Sequence, residues 1–152
     1  MALIVQKFGG TSVADLDRIR NVARRVTRTY DAGNDVVVIL SAMAGVTDNL
    51  IRMAHQVTDA PEKRELDVLL ATGEQTTAAL LAMTLRSMNY AAESILGHQA
   101  KVVTDCAFGN ARILNIGADA IKALVDRHRI AVVAGFQGCD INGNITTLGR
   151  GG

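Results

Sequence analysis

Three short apolar runs punctuate the chain, at residues 2–5, 36–40 and 130–134. Each is rich in β-branched residues and does not alternate with polar ones. That pattern predicts strands of a parallel sheet covered on both faces. Helical spacing fills the intervals. From Val13 onward Leu16, Ile19, Val22, Ala23 and Val26 recur three or four apart. Ser12 stands where an N-cap is expected, with Asp15 three residues on, and Gly33 is a natural stop. A second helix is predicted over residues 49–57, with Thr47 or Asp48 as its cap. Pro61 is expected to open a third, which breaks near Gly73 and resumes to about Met88. A fourth is predicted over residues 118–127. Strand and helix in alternation give an α/β fold with a mostly parallel sheet between helices. Two β-hairpin excursions are expected. One turns at Phe108-Gly109-Asn110, and the other at the Asn142-Gly143 of "GCDINGNIT".

Composition narrows the class. The chain has 152 residues, which favours one domain, and 49% are hydrophobic, enough for a core. Only 3% are aromatic, so that core is aliphatic. A net charge of +1 offers no electrostatic footprint for nucleic acid. No apolar run reaches ~18 residues, and the N-terminus lacks the layout of a signal peptide. No membrane partner and a cytoplasmic location are therefore expected. Cys106 and Cys139 fit no metal or redox spacing and read as reduced thiols. His55, His98 and His128 share no ligand spacing, and no nucleophile–histidine set is evident.

Ligands of open α/β sheets bind beyond the carboxyl ends of the strands. All three expected strands end in glycine-bearing loops: "KFGGTS", "SAMAGVTD" and "GFQG". Gly9 and Gly10 let backbone N–H groups approach a ligand, the next helix start favours an anion, and Lys7 adds a point charge. These residues suit a phosphoryl group. A tight turn beside an exposed lysine explains them equally well. Ser41 and Thr47 put hydroxyls on the same edge, although helix capping also accounts for Thr47. Glu74 stands in an apolar stretch and needs a partner if buried, and a substrate ammonium would serve. A solvated glutamate is the simpler alternative. Arg150, between glycines, can present its planar fork to a carboxylate or phosphate. No Walker loop and no G-x-G-x-x-G occurs. Together the loops predict one electropositive cup holding both Lys7 and Glu74.

"KFGGTSV", "VVVILSAMAGVTD", "LLATGEQ" and "VAGFQGCDINGNITTLGRGG" resemble the successive signatures of the aspartate kinases, within the amino-acid kinase superfamily. The resemblance runs from Leu3 to Gly152 and implies the N-terminal half of the amino-acid kinase fold. It implies ATP-dependent phosphorylation of the L-aspartate side-chain carboxylate to 4-phospho-L-aspartate, the entry to lysine, threonine and methionine biosynthesis. By the same resemblance Lys7 stabilises the transferring phosphoryl group, and Phe8, Gly9 and Gly10 hold ATP phosphates. Ser41 lies on the nucleotide side. Thr47 and Glu74 hold aspartate, Glu74 through its ammonium, and Arg150 with Gly151 clamps a carboxylate. Mg²⁺ is expected to arrive mainly through ATP and residues outside this chain. The family continues past "GRGG" into a nucleotide-binding half and ACT regulatory domains, and forms homo-oligomers. Residues 1–152 are thus expected to be the N-terminal portion of a catalytic domain, with little kinase activity alone. Two alternatives stand beside this: a non-catalytic module for ligand binding or dimerisation, and a superfamily kinase acting on another carboxylate.

Overall fold

The computed structural model describes residues 1–149. Four parallel strands form the main sheet: β1 (Leu3–Phe8), β2 (Asp35–Leu40), β3 (Ala92–Ile95) and β6 (Ile130–Ala134), in the order β1-β2-β6-β3. Their β-branched residues interlock with two layers. Helix α1 (Leu16–Asp31) and the long helix α3 (Lys63–Ser87) cover one face, where Phe8, Ile19, Val38, Leu81 and Val132 share a cluster. Helix α4 (Asp119–Val125) covers β2, β6 and β3 on the other, around Leu124, Val37 and Val133. That second layer stops short of β1, so Leu3 and Val5 remain 58% exposed. The sheet is covered on both faces only at its centre, a correction to the sequence expectation.

The hairpin excursions join into a second sheet. Strands β4 (Val102–Thr104) and β5 (Ile113–Ile116) pair antiparallel, as do β7 (Gln137–Cys139) and β8 (Ile145–Thr147), in the order β5-β4-β7-β8. Both expected turns are present.

Several local expectations change. Residues 10–13 form a 3₁₀ turn, and Asp15, not Ser12, caps α1 by accepting from Arg18 N at 2.8 Å. Helix α2 (Val46–Val57) is capped by Gly45 in left-handed backbone, with no side-chain cap from Thr47 or Asp48. Glu62 caps α3, whose first residue, Lys63, comes two residues after the expected start at Pro61. The predicted break at Gly73 is absent, and α3 runs unbroken through it. By length and composition α3 is also apolar enough to cross a membrane, but it is the core helix of this sheet.

Candidate functional site

The carboxyl ends of β1, β2 and β6 meet at one rim, where backbone hydrogen bonds tie their loops together. Ser41 N donates to Phe8 O at 3.1 Å, Ala44 N to Gly10 O at 3.2 Å, and Gly135 N to Leu40 O at 2.9 Å. Leu148 N donates to Phe136 O at 2.9 Å, which draws the end of β8 onto the same rim. The first two loops touch so closely that a Cβ on Gly10 would stand 3.0 Å from Ala42 O.

Two cavities adjoin at this rim. The larger, about 560 Å³, is lined by Ser41, Thr47, Asp48, Asp67, Glu74 and Thr147 among others. The second, about 450 Å³, is lined by Lys7, Ile39, Gly135 and Gln137 among others. Ser41, Phe136 and Leu148 border both. Lys7 and Glu74 therefore do not share one cup. The pleat separates them: Lys7 stands in register with Ile39 on the α4 side of the sheet, while α3 covers the opposite face beside Phe8. Nor is the larger cavity electropositive. Among the described residues its charged lining is Asp48, Asp67 and Glu74.

Glu74 is the unfinished group of the larger cavity. It is 3% exposed, and its Oε1 accepts from Ala42 N at 3.1 Å. Its Oε2 is buried without a hydrogen-bond partner. Burial pushes its pKa up to about 7, opposed in part by the Ala42 amide. An incompletely satisfied carboxylate facing a cavity is costly unless a ligand completes it. Gly73 makes the arrangement possible, because a Cβ there would lie 2.9 Å from the Ala42 Cβ. Its role is to admit the loop after β2 against α3, not to break the helix.

The other expected residues fall as follows. Thr47, in the first turn of α2, lines the larger cavity. Ser41 stands between the two cavities. Gly9 heads the 3₁₀ turn and its carbonyl accepts from Ser12 N at 3.0 Å. The Phe8 ring is buried in the core, 5.3 Å from the Arg25 guanidinium above it, so only its backbone reaches the rim. Arg150 and Gly151 lie outside the described residues. Two lining residues escaped sequence reasoning. Phe136 holds a left-handed φ of 65°, a conformation that costs a non-glycine residue on the order of 1 kcal/mol. Asp67 is fully buried two turns before Glu74 on α3.

Comparison with known proteins gives this geometry a relation. A model of the amino acid kinase family matches residues 2–152. The chain belongs to that family. This amino acid kinase chain is 56% identical over 152 residues to the aspartokinase of Bacillus sp. (strain MGA3), covering 100% of this chain and 37% of that one. It spans 37% of the length of the first curated relatives it matches. A structure of aspartate kinase from Synechocystis superposes with a TM-score of 0.80 at 43% identity, covering 99% of this chain and 24% of the other. E. coli aspartokinase III in complex with aspartate and ADP gives a TM-score of 0.79 at 25% identity, covering 100% and 44%. The amino acid kinase fold read from the sequence is the fold found.

Proposed function

We propose that residues 1–152 form the amino-acid-binding portion of an ATP-dependent aspartate kinase acting in the cytoplasm. L-aspartate occupies the larger cavity and ATP phosphates lie on the Lys7 side. The single observation that carries this reading is the buried, unpartnered Oε2 of Glu74. An α-ammonium group completes it, and the Bacillus relative named aspartokinase and the E. coli complex with aspartate and ADP agree with that substrate.

The chemistry follows from the two-cavity layout. The aspartate side-chain carboxylate has a pKa of about 3.9 in solution, so it is already a nucleophile at neutral pH. No general base is needed, and no histidine lines either cavity. A carboxylate oxygen attacks the γ-phosphorus of ATP, the bond to the β-phosphate oxygen breaks, and 4-phospho-L-aspartate and ADP result. The difficulty is repulsion between two anions, which positive charge and oriented N–H groups relieve. Lys7 supplies the charge. The backbone N–H groups of the turn at Phe8, Gly9 and Gly10 supply donors to phosphate, and Ser41 lies where the two substrates meet. Thr47 holds aspartate beside Glu74, and Arg150 with Gly151 clamps a carboxylate. Mg²⁺ comes with the ATP phosphates and is held mainly by residues outside this chain.

Isothermal titration with L-aspartate and with succinate, which lacks the amino group, tests the reading. Aspartate should bind at least about tenfold more tightly, the scale of a hydrogen bond to a charged group. Equal binding of the two acids would remove it.

A further inference from the structure

Asp67 is 0% exposed, yet it meets no lysine, arginine or histidine within ion-pair distance among the described residues. Its needs are met by two distant segments. Oδ2 accepts from Gly109 N at 3.0 Å and from Thr147 N at 2.9 Å, and Oδ1 accepts from Thr147 Oγ1 at 2.9 Å. Those segments are already joined to each other. Ala111 N donates to Thr147 O at 3.0 Å, and Gly149 N donates to Ala111 O at 3.3 Å. Asp67 thus holds the hairpin turn and the end of β8 as one unit against α3. Asp67, Gly109, Thr147 and Leu148 all line the larger cavity, with Glu74 on its α3 wall. At 1.5 Å of rise per residue, the clamp and the unpartnered carboxylate are about 10 Å apart along a rigid helix.

We infer that Asp67 is a positioning residue for the amino-acid cavity. By clamping Gly109 and Thr147 onto α3 it sets the width of the pocket facing Glu74 and the point from which the chain leaves β8 toward "GRGG". The inference rests on the proposed binding of aspartate in this cavity. A carboxylate is suited to the task because it accepts only, and three donors converge on it. An asparagine of the same shape still accepts from both amides through its one carbonyl oxygen, but it is neutral and turns its NH2 toward the Thr147 hydroxyl, which then loses its acceptor; the clamp weakens and the wall moves outward.

The test is Asp67→Asn in the protein at its natural length, assayed by aspartate-dependent ADP release with both substrates varied. The KM for aspartate should rise about tenfold, the scale of a lost hydrogen bond to a charged group. The KM for ATP should stay within about twofold, and the Gly109 and Thr147 amides should exchange hydrogen faster. An unchanged aspartate KM beside a lowered Tm would make Asp67 purely structural and overturn the inference. Should Asp67→Asn fail to fold, Thr147→Val removes one of the three bonds and Thr147→Ser restores it. The first should weaken aspartate binding several-fold and the second should recover it, whereas equal behaviour of the two contradicts the clamp. Loss of the functional reading itself looks different: the unsubstituted protein would then show no aspartate-dependent turnover, and the inference would fall with it.

Discussion

Asp67 and Glu74 occupy the same helix about two turns apart, at 0% and 3% exposure, and line the same cavity. Asp67 accepts three hydrogen bonds from the protein, while Glu74 accepts one from outside its own helix and leaves Oε2 bare. The difference separates two uses of buried charge. A carboxylate saturated by the fold fixes geometry, whereas one left short of partners stores an unmet demand that a ligand can fill. Burial alone would have ranked the two together. Counting donors tells them apart.

The largest effect should come from outside the pair. Lys7→Ala should slow aspartate-dependent ADP release by a hundredfold or more, about 3 kcal/mol by analogy with an oxyanion-hole donor, and leave aspartate affinity within about twofold. A large loss of affinity instead would merge the two cavities into one functional site. Glu74→Gln should weaken aspartate binding by roughly 10- to 100-fold in a titration. Its effect on stability has the opposite sign. The folded pKa of Glu74, about 7, lies above the ordinary carboxyl value of 4.5, so the folded state holds an extra proton between them. The stability this group contributes is full below about pH 4.5 and is lost as pH rises through 7. Between pH 5.5 and 7.5 the protein should lose about 2 kcal/mol from this source, and Glu74→Gln should abolish that part of the slope in denaturant titrations. The smallest effect is that of Gly73→Ala. Crowding against Ala42 costs on the order of 1–3 kcal/mol, offset in part by the better helix propensity of alanine. A net loss of about 1 kcal/mol is expected from thermal unfolding.

Much of the fold was legible because its signals are local. Residues 36–40 and 130–134 are apolar throughout, as a strand buried on both faces must be, and Asn142-Gly143 announced its hairpin. Strand β3 was missed because "AESI" carries two polar residues and pairs on one side only, along β6. The site was legible as a rim of glycine loops and as Glu74. Its division in two was not, because that depends on which side of the pleat Lys7 occupies relative to α3. Gly73 misled for a related reason: its small size serves the loop at Ala42, far upstream in the chain, not its own helix. Asp67 was invisible, since its partners lie 42 and 80 residues away and nothing in "ELDVLL" distinguishes it from a solvated acid.

The central claim is that Glu74 awaits a cation. Isothermal titration of L-aspartate at pH 7, repeated in buffers of different ionisation enthalpy, counts the protons exchanged on binding. With a pKa of about 7 the free carboxyl is about half protonated. An ammonium docking on Oε2 drives it to the charged form, so about half a proton should be released per aspartate bound, and none in Glu74→Gln. Binding with no proton release, or the same release in Glu74→Gln, would contradict the claim.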